Sequence, residues 1–214
     1  TRKPADIISE SVAKVLYGEV SPYSATRLER YSACAFANFL QYGLKLTERA
    51  ENEFRAMDMG NIMHKVLESL IKEVNKEKLS LAELSEEERD ALADRLVDEI
   101  SADYGNTILK SSARNEYMIQ RTKRMVRRTV WAIQKQLKSG EFEPEGVEVV
   151  FQGGRIDRVD TMETDDGKLY VRVIDYKTGN TSFDLVSLYH GLQLQLMIYM
   201  DGALTVEQNK HKDK

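Results

Sequence analysis

The hydrophobic pattern divides the chain into a helical first part and a later part rich in strands. Across residues 63–74, apolar residues recur three and four positions apart, which predicts a helix with one buried face. Residues 154–162 and 169–177 are rich in Val, Ile and Tyr and flank a Thr-Asp-Asp-Gly turn, which predicts a β-hairpin. Residues 147–151 predict a preceding strand. Residues 184–200 predict an apolar helix packed in the interior against the sheet.

Three further segments complete the predicted helical part. Ser24 fits the N-cap of a helix over residues 25–39, whose aromatic residues predict a core stripe. Ser85 and Glu88 fit a capping box, and the outward Asp residues of the helix that they start are expected to be solvated. Residues 121–138 carry seven basic and no acidic residues. The outward row of this third helix holds Arg121, Arg124, Arg128 and Lys135.

The turn sets which hairpin residues face each other. An odd number of loop residues centred on Asp166 opposes Asp157 and Asp175 and puts both carboxylates on one face of the sheet. Directly opposed like charges in an antiparallel pair are destabilising. A divalent cation would offset this repulsion, and oxygen ligands favour Mg²⁺ or Mn²⁺ over Zn²⁺. The alternative is a surface hairpin whose acids are solvated or paired with Arg155 and Arg158.

The ends of the two predicted strands resemble a nuclease signature. Asp157, followed later by Asp175, Tyr176 and Lys177, is similar to the PD-(D/E)XK motif. The flanking segments GRIDRVD and VIDYKTG resemble the RecB-like branch of that superfamily. The Asp-x-Lys ending of the second strand therefore favours a metal site over a solvated hairpin.

Motifs outside the hairpin extend this resemblance. His64 in GNIMHKVLES is similar to the upstream histidine of the RecB-like branch, and Gln195 and Tyr199 are similar to its Gln-x-x-x-Tyr motif. Residues 24–46 resemble the C-terminal nuclease domain of AddB-type subunits of AddAB helicase-nucleases. The resemblance covers most of residues 16–204.

The resemblance implies an α/β fold and a single nuclease domain over residues 1–214. Its restriction-endonuclease-like core, a small mixed sheet flanked by helices, is expected at about residues 141–204, after a helical insertion within residues 1–140 and before a frayed tail at residues 205–214. The core also needs a strand after the Gln-x-x-x-Tyr helix, and residues 201–214 contain no run of β-forming residues to supply it. We therefore expect the last core strand to be missing and the chain to be a piece of a longer protein.

The implied activity is Mg²⁺- or Mn²⁺-dependent hydrolysis of DNA, as an exonuclease, within an ATP-dependent helicase-nuclease that processes double-strand breaks for recombinational repair. An AddA-like subunit would be the protein partner. The metal ligands implied are His64, Asp157, Asp175 and the carbonyl of Tyr176. Lys177 would position the attacking water and stabilise charge on the phosphate. Gln195 and Tyr199 would brace Lys177 and the DNA backbone.

Two residue assignments and the class of function stay open. Glu148 either reaches the metal site or is an exposed strand acid. The basic row of residues 121–138 is typical of a solvated helix face, and contact with DNA phosphates is the alternative in a nuclease. The competing function is non-catalytic, a nuclease fold kept as a scaffold or DNA-end-binding module. Retention of both aspartates and the lysine of the signature argues against it.

Composition narrows the compartment and the cofactors. The net charge of −4 means that DNA affinity must come from local patches. No apolar run is long enough to span a bilayer comfortably, so no membrane partner is expected. We expect a cytoplasmic location. The single cysteine, Cys34, excludes an internal disulfide and by itself predicts a buried, inert thiol. The resemblance implies a 4Fe-4S iron-sulfur cluster with Cys34 as a ligand, but only in a longer parent protein.

Overall fold

The computed structural model describes residues 9–18, 24–47, 56–103, 113–179 and 182–212. In chain order, the described elements are α1 (Glu10–Tyr17), α2 (Ala25–Ala33), α3 (Ala35–Asn38), a π-helical turn (Phe39–Gly43), α4 (Ala56–Lys76), α5 (Glu86–Asp103), α6 (Ala113–Lys138), β1 (Glu143–Phe151), β2 (Gly154–Glu163), β3 (Leu169–Ile174), α7 (Leu185–Tyr189) and α8 (Gln195–Lys212). No helix among these residues is long and apolar enough to cross a membrane. The backbone groups into two compact units.

The larger unit, Glu51–Val150 with Arg155–Thr181, is built around a helical core. Helix α4 packs against α5 and α6, and α5 packs against α6. The predicted buried stripe of α4 is confirmed, since six of its side chains are at most 6% exposed: Met63, Val66, Leu67, Leu70, Ile71 and Val74. This stripe fixes the rotation of α4 and therefore the direction in which its polar residues point.

Charged pairs join α5 to one flank of α6. The predicted capping box is confirmed, because the Ser85 N–H donates to Glu88 Oε2 at 2.9 Å and the Glu88 N–H donates to Ser85 Oγ at 3.2 Å. The prediction of a solvated acidic face is wrong for Asp94, which is 25% exposed and accepts from Arg127 Nε at 2.7 Å. In the same way, Lys123 donates to Asp98 at 2.6 Å. Opposite charges on the two facing helices explain the difference.

The three described strands form an antiparallel sheet in the order β1-β2-β3. The predicted register of β2 and β3 is confirmed, with Val159 opposite Val173 and Thr161 opposite Val171. The β3 strand ends at Ile174 rather than at the predicted residue 177, so the Asp-x-Lys segment lies beyond the ladder. No further strand occurs among the described residues. The sheet in this part of the chain is therefore antiparallel and has no parallel strand that would make it a mixed sheet.

The hairpin loop has the odd length that the register requires. The Thr164 N–H donates to the Lys168 carbonyl at 2.9 Å, which closes a loop of three residues. Within that loop the Gly167 N–H donates to the Thr164 carbonyl at 2.8 Å, and Gly167 has a φ of +73°. A type I turn followed by a left-handed glycine is a usual three-residue hairpin connection.

The smaller unit comprises Thr1–Ala50, Phe151–Gly154 and Ser182–Lys214. Ser24 caps α2 as predicted, since its side chain accepts the Arg27 N–H at 3.3 Å. The predicted helix over residues 25–39 is interrupted at Cys34, where the backbone becomes extended with a φ of −163°. The interruption divides the predicted stripe. Tyr31 and Phe36 are 62% and 67% exposed, so the predicted aromatic core stripe is wrong for both.

The last predicted helix is divided into α7 and α8. Gly191 lies between them with a φ of +72°, a conformation that interrupts a right-handed helix. Helix α8 then continues to Lys212, through most of the predicted frayed tail. The predicted interior position is wrong, because Leu185 and Met200 are 70% and 47% exposed. Tyr199 and Ala203 are the apolar side chains of α8 that are buried.

The glycine of the hairpin loop gives a test of the backbone geometry. Gly167→Ala should lower the free energy of unfolding by about 1 to 2 kcal/mol, because a Cβ disfavours the left-handed conformation. Neither Gly167 nor Gly140 has a neighbour within 4 Å of an added Cβ, and only Gly167 has a positive φ. Gly140→Ala is therefore the matched control and should stay within about 0.5 kcal/mol of wild type. Equal effects of the two substitutions in urea denaturation would contradict the loop geometry.

Candidate metal centre

His64 lies at the boundary of the α4 core stripe and faces the sheet. Its side chain is 32% exposed, and its Nδ1 atom lies 3.3 Å from Asp157 Oδ2. The His64 ring also meets the Tyr176 ring edge to face, with 6.1 Å between the centroids. Burial of the neighbouring α4 residues thus orients the imidazole toward the ends of β2 and β3.

Asp157 is held by two elements at once. Its Oδ2 atom accepts the Tyr176 N–H at 2.7 Å and also faces His64. Asp157 follows the strand alternation of β2, whereas Tyr176 lies two residues after the end of β3. The Asp157 carboxylate therefore supplies a hydrogen bond to the Asp-x-Lys segment beyond the end of the β2–β3 ladder, and it links this segment to β2.

Glu148 joins this pair from β1. It has a φ of +52°, which is uncommon for a residue other than glycine and interrupts the predicted alternation of β1. His64, Glu148 and Asp157 can each offer one ligand atom, and these atoms all lie within 4.8 Å of one another. Glu148 is also 17% exposed and paired with Arg155 Nε at 2.7 Å. Of the two sequence interpretations of Glu148, this geometry favours the metal site over an exposed acid.

Asp175 and Lys177 pair with each other beside this group. Lys177 Nζ lies 2.6 Å from Asp175 Oδ2, with the lysine 42% exposed and the aspartate 15% exposed. Asp175 was expected to oppose Asp157 in the ladder, but the last described rung joins Arg158 to Ile174. Each of the three acids thus has a basic partner: Glu148 with Arg155, Asp157 with His64, and Asp175 with Lys177.

The acids raise the pKa of His64. The largest cause is the hydrogen bond from the imidazole to Asp157, which favours the protonated ring. Burial of the ring opposes the shift, and the negative charges of Asp157, Asp175 and Glu148 add to it. Asp175 therefore lies within electrostatic reach of His64. The centre concentrates negative charge where a cation can be held.

The donor set fits a divalent cation but not an iron-sulfur cluster. Carboxylate oxygens with one imidazole suit hard or borderline cations such as Mg²⁺ or Mn²⁺. Cys34 is exposed, so its prediction as a buried thiol is wrong, because the break between α2 and α3 turns it outward. A 4Fe-4S cluster takes four thiolates, and the chain contains one cysteine.

The two residues of the Gln-x-x-x-Tyr motif lie in the smaller unit. Gln195 Nε2 donates to Tyr199 Oη at 2.9 Å, and the Gln195 N–H donates to Glu29 at 2.9 Å. Phe151 meets the Tyr199 ring edge to face at 5.6 Å. The motif thus forms a pair along one face of α8. Its bracing of Lys177 stays a prediction.

The basic row of α6 lies on the surface of the larger unit. All four of its members are exposed: Arg121, Arg124, Arg128 and Lys135. Trp131, in the middle of the row, is 47% exposed. The other flank of α6 differs, because Lys123 and Arg127 are engaged by the acids of α5.

Sequence reasoning missed a buried ion pair behind the metal centre. Arg158 and Asp160 are both fully buried, and Arg158 Nε and Nη2 donate to the two Asp160 oxygens at 2.7 and 2.8 Å. The sequence interpretation had offered Arg158 as a partner for the metal-site acids. The available signal was their spacing, because residues two apart on a strand share a face.

Titration of His64 tests the electrostatics of the centre without metal. In metal-free protein, NMR should give His64 a pKa above that of an unperturbed histidine, and Asp157→Asn should lower it more than Glu148→Gln because Asp157 is the dominant cause. A raised folded pKa adds stability that is complete below the unfolded pKa and is lost as pH rises through the folded value. The metal-free fold should therefore lose this contribution on the alkaline side. A His64 pKa that is unchanged by Asp157→Asn would contradict the hydrogen bond between the two side chains.

Relatives of this chain share one description, since each is named as a subunit of an ATP-dependent helicase/deoxyribonuclease. The relative from Lachnoclostridium phytofermentans is 45% identical over 212 residues, which cover 95% of this chain and 18% of the relative. Relatives with the same name from Alkaliphilus metalliredigens and Clostridium acetobutylicum are 36% and 35% identical, over 96% and 98% of this chain and 20% of each relative. The chain spans about a fifth of the length of these relatives.

A family profile gives the broader relationship. The profile described as the PD-(D/E)XK nuclease superfamily matches residues 22–214, a range that contains every residue of the metal centre. The match therefore rests on nearly the whole chain and not on the short Asp-x-Lys motif alone. This chain belongs to the PD-(D/E)XK nuclease superfamily.

Proposed function

We propose that this chain hydrolyses phosphodiester bonds of DNA with a divalent cation, as the nuclease domain of a helicase-nuclease. The observation that carries the proposal is the convergence of His64, Glu148 and Asp157 beside the Asp175 and Lys177 pair. The shared name of the relatives, which contains both helicase and deoxyribonuclease, supports DNA as the substrate. The name also supports a helicase partner, for which we propose an AddA-like subunit in the cytoplasm, and we propose exonuclease action in double-strand-break repair.

The acids and the imidazole would hold the cation. We assign His64, Asp157, Asp175 and the carbonyl of Tyr176 as ligands, and we add Glu148 because its carboxylate reaches the same space as His64 and Asp157. When bound, Mg²⁺ or Mn²⁺ would polarise the scissile phosphate and lower the pKa of a water. The Tyr176 N–H keeps Asp157 Oδ2 oriented toward the centre. The half-buried surroundings strengthen these electrostatic interactions relative to open water.

Lys177 is the cation that we propose to act on the substrate. Its side chain is 42% exposed, and its ammonium group rests on Asp175 at 2.6 Å. Asp175 would share its charge with a bound cation, and the Lys177 ammonium group would then be able to direct one of its N–H groups toward a phosphate oxygen. Donation to that oxygen stabilises the negative charge that grows there during attack by water. Gln195 and Tyr199 are proposed to support Lys177 and the DNA backbone.

The outer row of α6 is proposed to bind DNA phosphates. Within the described part of the chain, no acidic partner is found for Arg121, Arg124, Arg128 or Lys135, whereas Lys123 and Arg127 are neutralised by α5. Residues 121 and 135 are about 21 Å apart along a helix that rises 1.5 Å per residue. Trp131 within the row offers a ring on which an unpaired base can stack. The row therefore combines charge and stacking on one face.

Substitution of Lys177 distinguishes the proposed nuclease function from the alternative of a non-catalytic scaffold. Lys177→Ala should abolish Mn²⁺-dependent DNA cleavage and leave Mn²⁺ affinity nearly intact, because the lysine acts on the phosphate rather than on the cation. His64→Ala should weaken Mn²⁺ affinity, measured by calorimetry. Lys168→Ala is the matched control, since Lys168 pairs with Asp166 in the exposed hairpin loop. Cleavage unchanged by Lys177→Ala would favour a non-catalytic scaffold.

Two double substitutions with equal charge change test the α6 row. Arg124→Gln with Arg128→Gln should weaken DNA binding and flatten the slope of log affinity against log salt by about one unit per lost contact. Lys123→Gln with Arg127→Gln removes the same charge from the neutralised flank and should leave the slope unchanged. Both variants are compared by fluorescence anisotropy on a single-stranded oligonucleotide. Equal slopes for the two variants would identify the row as solvated surface.

A further inference from the structure

The segment that carries the catalytic signature is not held by the sheet. Strand β3 ends at Ile174, and Asp175, Tyr176 and Lys177 follow without strand structure. Two backbone groups of this segment matter for the proposed function: the Tyr176 N–H, which orients Asp157, and the Tyr176 carbonyl, which is assigned to the cation. Something other than the ladder must therefore fix Tyr176.

The Tyr176 side chain is held from inside the protein. Arg158 Nη1 donates to Tyr176 Oη at 3.0 Å, and the guanidinium carbon lies 6.0 Å from the Tyr176 ring centroid. The Tyr176 ring also meets the His64 ring edge to face. Burial raises the pKa of Tyr176, so its hydroxyl stays neutral and can accept this bond at ordinary pH. Tyr176 thus connects the buried interior to the metal centre.

The anchor on the buried side is rigid. Arg158 and Asp160 are fully buried, and their bidentate contact uses Nε and Nη2 of the guanidinium. Arg158 Nη2 also donates to Gln136 Oε1 of α6 at 3.2 Å, so the anchor joins β2 to a helix. A buried pair of this kind is weak evidence for stability, because apolar residues of similar volume often replace it without loss. Its geometry instead suits the task of holding a third group in place.

We propose that Arg158, fixed by Asp160, is a positioning residue that acts through the Tyr176 hydroxyl to hold the catalytic segment against Asp157 and His64. The inference rests on the proposed function for its consequence in catalysis. Its structural part, the immobilisation of Tyr176, holds with or without metal. Groups behind metal ligands commonly change metal affinity or activity by about 10- to 100-fold when they are removed.

The experiment removes the contact in two ways and measures three properties. Tyr176→Phe deletes only the hydroxyl and keeps the ring against His64. Arg158→Met with Asp160→Val replaces the ion pair by apolar residues and keeps the tyrosine. In metal-free protein, both variants should speed amide hydrogen exchange at Tyr176 more than at the α4 core. In the presence of Mn²⁺, both variants should show a Mn²⁺ affinity and a kcat for DNA cleavage that are lower by about 10-fold or more. The KM for DNA should stay unchanged.

A second buried arginine supplies the control. Arg89 Nη1 donates to Gln134 Oε1 at 3.0 Å, and both residues are at most 5% exposed between α5 and α6. Arg89→Met with Gln134→Leu removes a similar buried contact that does not involve Tyr176. This variant should change the melting temperature without selective exchange at Tyr176 and without loss of Mn²⁺ affinity.

The outcomes separate this inference from the proposed function. Unchanged amide exchange at Tyr176 in both variants would overturn the inference. The inference would also be overturned if the Arg89 control changed Tyr176 exchange and Mn²⁺ affinity as much as the two variants do. Wild-type protein that neither binds Mn²⁺ nor cleaves DNA would overturn the proposed function, while the exchange measurement would still decide whether Arg158 positions Tyr176. Should one variant not fold, the other carries the same three measurements.

Discussion

The register of the β2–β3 hairpin is the constraint on which the metal centre depends. Successive strand residues point to opposite faces, so a slip of one position would exchange the surroundings of Asp157 and Arg158. Asp157 would then lose His64, and Arg158 would lose the Tyr176 hydroxyl and Gln136. Hydrogen-bonding groups that are buried without partners are destabilising. The left-handed Gly167 fixes the register from the loop, and the buried contacts of Arg158 with Tyr176 and Gln136 oppose a slipped alignment from within.

The sequence predicted those features that depend on local chemistry. The odd hairpin loop, the Ser85 capping box and the buried stripe of α4 follow from turn residues, side-chain caps and helical periodicity. These features need information from only a few neighbouring residues. The position of His64 beside Asp157 came instead from the resemblance to a nuclease branch, since no local rule joins residues so far apart in the chain.

The remaining features depend on distant partners. The acids of α5 were expected to be solvated, and only the facing cations of α6 explain why Asp94 and Asp98 are paired. No helix-breaking residue marks the interruption at Cys34, so the exposed Tyr31 and Phe36 followed from no pattern. Charges are seldom fully buried, which is why the sequence offered Arg158 only as a partner for acids of a surface hairpin. Each difference arose where tertiary contacts outweighed local preference.

Each acid at the metal centre has its own basic partner, so the fold at this site does not depend on a bound metal ion. Glu148, Asp157 and Asp175 each have a basic partner in the same unit, so their repulsion is offset before any ion arrives. Zinc fingers differ, because there the metal supplies the free energy of folding. At the proposed ligands, an ion would instead bind to groups that the fold has already brought together, and its binding would compete with protonation of His64. We therefore expect the metal-free protein to be folded, with the proposed ligands already close together.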